Sequence, residues 1–187
     1  MIKMFDEQDP RVRTMILKLR NKAIIDGKAK WGNKYGGFDP RDTQFGFGDL
    51  RLTHFRLTNV TYKGGWYNLA ITSTGNDLTW VNTKTTNEDA YILIYGIGDN
   101  SPSPCITQIQ FNFGAETGNW TDLSQLHGAE RAFMFFEEGW VVSPKTSVTI
   151  KYSSTTCQAV NTEYLYLIGE VLGLKSYLIA YDNPDTV

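Results

Sequence analysis

The period of the apolar positions changes near residue 50. Before it, Val12, Met15, Ile16, Leu19 and Ala23 recur at spacings of three, four and seven, the stripe of an amphipathic helix. Asp9 is placed to act as N-cap, Pro10 suits the first helical position, and Gly27 suits a left-handed C-cap. The expected helix runs for about four to five turns at 3.6 residues per turn. Arg11, Arg13, Lys18, Arg20 and Lys22 occupy much of its remaining surface, so it is basic as well as amphipathic. Residues 27–49 show no clear period. Trp31, Tyr35 and Phe38 are spaced among glycines there, and Asp39-Pro40 marks a turn, which predicts an ordered, irregular arm with aromatic anchors.

From residue 50 the pattern is that of strands. Leu50–Tyr62 and Trp66–Thr72 flank Lys63-Gly64-Gly65, a hairpin signal. Leu78–Val81 reads as a short strand. Ala90–Ile97 is a continuous apolar run bounded by turn residues, as in a strand covered on both faces. Ile109, Phe111 and Phe113 alternate with Gln108, Gln110 and Asn112, and Val148, Ile150 and Tyr152 alternate with Thr149 and Lys151; each set predicts one wet face. Ala132–Phe136 and Trp140–Val142 read as a pair with a bulge at Gly139. Glu163–Glu170 and Ser176–Tyr181 add two more strands, and Thr121–Gly128 one helical turn. The expected fold is therefore mainly β: an antiparallel β-sandwich or jelly roll over residues 50–187, preceded by an N-terminal α-helix and extended arm over residues 1–49.

Composition supports this class. The 187 residues suit one large domain, and 20 threonines with 13% aromatics favour strands. No apolar stretch approaches the roughly 20 residues that span a bilayer, and the first residues lack a signal-peptide pattern. A reducing compartment is then the expectation, with Cys105 and Cys157 as buried free thiols. Charge is uneven. Residues 1–63 hold 13 Lys/Arg against 7 Asp/Glu, a balance of +6; residues 64–187 hold 5 against 13, a balance of −8, giving the net −2. The N-terminal third is thus suited to an acidic partner surface, or to the acidic end of another copy. Nucleic acid is disfavoured because the β-region is acidic.

The search for chemistry yields no catalytic, cofactor or metal residue. His54 and His127 stand alone, without a second histidine at ligand spacing. No Gly-x-Ser-x-Gly elbow or phosphate-binding glycine loop is present. Adjacent Glu137 and Glu138 face opposite sides of a regular strand unless a bulge intervenes, and Glu163 and Glu170, seven apart, also face opposite sides. Trp66, Trp80, Trp120 and Trp140 raise a rival reading, a carbohydrate-binding sandwich on a viral fibre or cell surface. That reading is favoured if two or three indoles are exposed on one face.

The order of features in the last two-thirds is Tyr91-Ile-Leu-Ile-Tyr-Gly-Ile-Gly-Asp, then Ile106-Thr-Gln-Ile-Gln-Phe-Asn-Phe-Gly. Ala132-Phe-Met-Phe-Phe-Glu-Glu-Gly-Trp-Val-Val-Ser-Pro follows, with Ser147-Val-Thr-Ile-Lys-Tyr and Glu163-Tyr-Leu-Tyr-Leu-Ile-Gly-Glu-Val-Leu-Gly after it. This order resembles the jelly-roll decoration, or cement, proteins of tailed bacteriophages. The resemblance is one of pattern and covers roughly residues 90–172. It implies a non-enzymatic virion protein, often trimeric, whose N-terminal segment lies on the major capsid protein while its sandwich projects outward. The candidate interface is then Arg11, Arg13, Lys18, Arg20, Lys22, Lys28, Lys30, Trp31, Tyr35 and Phe38. Neither a cofactor nor a membrane is implied.

Overall fold

Ten strands and one long helix make three layers in the computed structural model, which describes residues 4–5, 8–32, 41–44, 67–71, 74–127, 133–155 and 161–173. In chain order the elements are β1 (Met4–Phe5), α1 (Pro10–Trp31), β2 (Arg41–Gln44), β3 (Tyr67–Ile71) and β4 (Gly75–Thr85). Next come β5 (Ala90–Asp99), β6 (Ile106–Phe113), β7 (Glu116–Asp122) and the single turn α2 (Ser124–His127). β8 (Phe133–Val142), β9 (Ser147–Ser154) and β10 (Asn161–Gly173) complete the set. The first sheet has the order β1-β8-β5-β10-β2, with β3 also on β10; the second has the order β4-β9-β6-β7. Every pairing is antiparallel, and the fold is a β-sandwich.

The inner faces of the two sheets form the main core. Ile92, Ile94, Ile97, Phe136, Leu165, Leu167 and Val171 meet Val81, Ile106, Ile109, Phe111, Val148 and Ile150 there. The alternations in β6 and β9 place Gln108, Asn112, Thr149 and Lys151 on the opposite, wetter face. The outer face of the first sheet is apolar too. Tyr91, Leu93, Tyr95, Phe135, Tyr166, Ile168 and Leu172 lie under Val12, Met15, Ala23 and Trp31 of α1. Every residue of β5 is buried, as its unbroken apolar run requires.

The helix begins as its sequence dictates. Asp9 is extended (φ −66°, ψ 124°) and accepts from the Arg11 N–H at 2.9 Å, with Pro10 next in line. The Arg11 guanidinium also grips that carboxylate and holds it down to about 2. The end differs from expectation. Gly27 does not cap the helix; it is buried on the sheet-facing stripe, and α1 continues to Trp31, with Gly32 donating to the Lys28 carbonyl at 3.0 Å. Trp31 is 2% exposed and meets Tyr91 edge-on at 5.3 Å. Burying an indole outweighs the roughly 1 kcal/mol that an interior glycine costs a helix.

Three further expectations change. Residues 41–44 of the expected irregular arm are strand β2, ordered by pairing with Glu170–Gly173 of β10. The pair expected around Gly139 is a single strand, β8, with a wide bulge: Ile94 faces Trp140 while Gly96 faces Phe135. A Cβ at Gly139 would lie 2.4 Å from the Ile94 carbonyl oxygen and 2.7 Å from Leu19, so glycine lets the helix press onto the bulge. β7 was not anticipated, because Glu-Thr-Gly-Asn-Trp-Thr-Asp carries one large apolar residue and its order comes from pairing with β6. The expected strands Leu50–Tyr62 and Ser176–Tyr181, the 63–65 turn, His54 and Trp66 lie outside the described residues.

One ion pair fastens the helix to the sheet. Arg20 donates to both carboxylate oxygens of buried Glu170, through Nε at 2.7 Å and through Nη2, and the Tyr95 hydroxyl donates to the same carboxylate at 2.8 Å. Burial and that negative neighbour push the Tyr95 hydroxyl far above its ordinary range. Arg20→Ala leaves the carboxylate buried without its cation and is expected to cost about 3 kcal/mol in urea unfolding. Arg20→Met combined with Glu170→Gln is expected to recover most of that loss, since the amide still accepts from Tyr95. Equal destabilisation by the single and double variants would show that charge burial is not the cause.

Candidate functional site

Three surfaces and one buried cluster bear on function. The first surface is the outward face of α1. Arg13, Lys18, Lys22, Lys28 and Lys30 are exposed, together with Leu17 and Ile25, two turns apart. Arg11 is exposed but engaged, paired with Asp9 and stacked over the Phe5 ring at 3.8 Å. Arg20 and Trp31 face inward, held by Glu170 and Tyr91, and serve the protein's own core. Tyr35 and Phe38 lie outside the described residues. The structure thus separates the sequence-derived interface set into an outward basic row and two inward anchors.

The second surface is a groove of about 560 Å³ between α1 and the β8 bulge, with Arg11, Lys18 and Lys22 on one side and Glu137 and Glu138 on the other. A bulge does intervene at the two glutamates, and both line this one groove. Both are exposed and faced by cations. A glycosidase needs two carboxylates flanking a bond, one of them desolvated enough to stay protonated, and this arrangement desolvates neither.

The buried cluster joins the ends of β5 and β10. Asp99 Oδ1 accepts from the Ser101 N–H at 2.8 Å and from the Ser101 hydroxyl, while its Oδ2 lies 3.2 Å from His127 Nε2. Glu163, with no exposed surface, accepts from the Cys105 N–H at 2.6 Å, and the Tyr164 N–H donates to Ser101 Oγ at 2.7 Å. Burial raises the Glu163 carboxyl, and the neighbouring Asp99 charge raises it further against the lowering effect of Ser101 and Cys105. The two acids share one buried place, and that proximity adds to the upward shift of Glu163. Burial, with the Asp99 charge beside it, pushes the Tyr166 hydroxyl up to about 12. Glu163 and Glu170 face opposite sides of β10, as their spacing predicts, and each anchors a different layer.

The cluster was not found from sequence, although an aspartate closing an apolar strand with serine two residues on is a recognisable turn signal. Its carboxylates are sealed from solvent, which suits fastening the 100–105 loop. Cys105, expected as a free thiol, is disulfide-bonded. Its carbonyl accepts from the Thr155 N–H at 3.0 Å, two residues before Cys157, which itself lies outside the described residues.

The third surface is the outer face of the second sheet. Trp120 stands there among polar side chains, whereas Trp80 and Trp140 pack against the sandwich core. Among the described residues the indole on this face is therefore Trp120 alone, and it is half-buried. No group of three or more His, Cys, Asp or Glu among the described residues is placed to hold a metal ion. No helix among them is long and apolar enough to cross a membrane. Comparison with protein-family models, with curated proteins and with solved structures finds no match to this chain.

Glu163 gives the cluster a testable pH signature. Its folded-state value lies above the ordinary 4.5, so the folded state binds more protons than the unfolded one above that pH. The stabilisation is complete below about 4.5 and is lost as pH rises through the folded value. Glu163→Gln keeps an acceptor for the Cys105 N–H and is neutral at every pH. Urea midpoints measured from acid to neutral pH are expected to fall for the wild type and to flatten for the variant; parallel profiles would place the titration elsewhere.

Proposed function

We propose that this chain is a non-enzymatic virion protein that decorates a capsid shell, attached through the outward face of α1. The observation that carries the reading is the pair Leu17 and Ile25, exposed by 48% and 66% on a helix whose other face is fully used. Arg13, Lys18, Lys22 and Lys28 surround them, so the face offers two aliphatic knobs in a positive field. The partner of matching chemistry is an acidic protein surface with small apolar recesses. Individually modest contacts of this sort become strong when repeated over a symmetric lattice.

Other features support the reading. The acid pair of Asp99 and Glu163 is sealed, and Glu137 and Glu138 sit open to water, so neither pair is set for acid–base catalysis. A disulfide at Cys105 suits the oxidising surroundings of a particle exterior. The jelly-roll connectivity and trimeric state implied by the resemblance belong to the same proposal.

Co-sedimentation of the full chain with purified shells of the encoding virus tests it. Leu17→Asp with Ile25→Asp is expected to weaken binding by about tenfold or more while leaving the urea midpoint nearly unchanged. Wild-type binding is expected to weaken with salt, as screening shortens from about 10 Å at 0.1 M to about 3 Å at 1 M. Undiminished binding of the double variant would move the attachment off α1, and absence of wild-type binding would end the decoration reading.

A further inference from the structure

The outer face of the second sheet is a built trough with its own chemistry. Cross-strand pairing places Trp120, Gln110, Lys151 and Thr79 in one row across β7, β6, β9 and β4. Asp122, Gln108 and Ser153 form the next row, and Thr117, Asn112 and Thr149 the row beyond. Neighbours within each row stand at the strand spacing of about 4.8 Å. Asn76, Asp77, Gln108, Gln110, Trp120 and Lys151 contribute to the lining of a depression of about 530 Å³ over these rows.

Bulges raise both edges of the trough. On β7 the pairing jumps from Trp120 opposite Gln110 to Thr117 opposite Asn112, leaving Gly118 and Asn119 against Phe111 alone. Two side chains from β6 hold that bulge: Gln110 Nε2 donates to the Gly118 carbonyl at 2.8 Å, and the Gly118 N–H donates to Asn112 Oδ1 at 3.1 Å. A Cβ at position 118 would lie 2.2 Å from the Phe111 carbonyl oxygen, so the bend that aims Trp120 requires glycine. At the other edge β4 is irregular between Gly75 and Leu78, and Asp77 adopts a left-handed φ of 61°. Its carboxylate meets Lys151 Nζ at 2.9 Å. A non-glycine residue held in that conformation directs attention to what it positions.

We infer that this trough binds a neutral oligosaccharide, with Trp120 as the stacking platform. The ligand class follows from the lining. One flat indole face suits the C–H face of a sugar ring, and amides beside a paired carboxylate and ammonium suit its rim of hydroxyls. The Asp77–Lys151 pair cancels its own charge, which disfavours phosphates, nucleic acid and sulfated glycans. The side chains of Gln108, Asn76 and Thr117 make no hydrogen bond to another described residue and remain available to a ligand. The site lies on the opposite side of the sandwich from α1 and does not depend on shell attachment.

Titration of the full chain with neutral gluco-, manno- and galacto-oligosaccharides at up to millimolar concentration, followed by calorimetry and tryptophan emission, tests the inference. Binding is expected to at least one series, with little dependence on salt and a change in indole emission. Trp120→Ala is expected to raise Kd by about tenfold or more, and Trp120→Phe by less. Gln108→Ala, which removes no side-chain hydrogen bond among the described residues, is expected to weaken binding without moving the urea midpoint. No binding by any neutral series, binding indifferent to both Trp120→Ala and Gln108→Ala, or binding confined to sulfated saccharides would overturn it.

Discussion

Burial of β5 on both faces is the constraint on which the other layers depend. Ala90–Asp99 leaves no side for water, so the first sheet needs a partner on each face. The second sheet supplies one through Ile109, Phe111, Val148 and Ile150. The other face carries Tyr91, Leu93, Tyr95, Tyr166, Ile168 and Leu172, an apolar patch that no monomer leaves open cheaply. α1 covers it. At about 1.5–3 kcal/mol for each fully buried large apolar side chain, docking the helix is a principal source of stability. The helix must therefore spend its apolar stripe on its own protein, leaving only its back for a partner.

Covering a sheet with a helix also requires local adjustment, and that adjustment gathers in one place. Tyr95 is the extra residue where β5 shifts register against β10, and against β8 it lies opposite the bulge of residues 136–139. The β8 bulge lies on one side of it and Glu170 on the other, with Met15, Leu19 and Arg20 of the helix above. Bulging turns the Tyr95 hydroxyl toward Glu170 and allows the helix to approach the backbone at Gly139. The ion pair contributes less through its own attraction than through specificity, because a helix shifted by one turn would leave Glu170 buried without its cation.

Much of this architecture was legible in the sequence for a physical reason: burial imposes a period. The stripe Val12–Ala23, the run Ala90–Ile97 and the alternations in β6 and β9 all mark buried faces, and each appears where its pattern placed it. Elements ordered by backbone pairing left little trace. β7 and residues 41–44 have no periodic apolar face, since they are tied to β6 and β10 by main-chain hydrogen bonds. Gly27 misled because a glycine buried within a helix and one capping it look the same in sequence; Trp31, one turn on, decided the matter. Candidate sites were less legible still. Charge identified the basic helix, but which cations face outward depended on Glu170, 150 residues from Arg20. Asp99 and Ser101 form a local turn, but His127 and Glu163 join them only through folding, and no spacing announces that meeting.

Layer order gives the molecule a polarity that connects its two surfaces. The back of α1 and the outer face of the second sheet are separated by the thickness of the whole sandwich, so occupation of one leaves the other open. The two faces also differ in chemistry: one is positive with aliphatic knobs, the other is close to neutral, with amides, hydroxyls and one indole. A surface that neutralises charge is suited to a fixed protein lattice, where many copies share the work. The neutral polar face is suited to weak, reversible contact with hydroxylated chains. A protein held by its helix would therefore turn the Trp120 trough outward, and a lattice of such copies would make a weak saccharide site effective through multiplicity. The same geometry constrains subunit contacts. Symmetric neighbours that use edges β4 and β7 would press against the bulges that shape the trough, whereas neighbours meeting along the first sheet would leave it open.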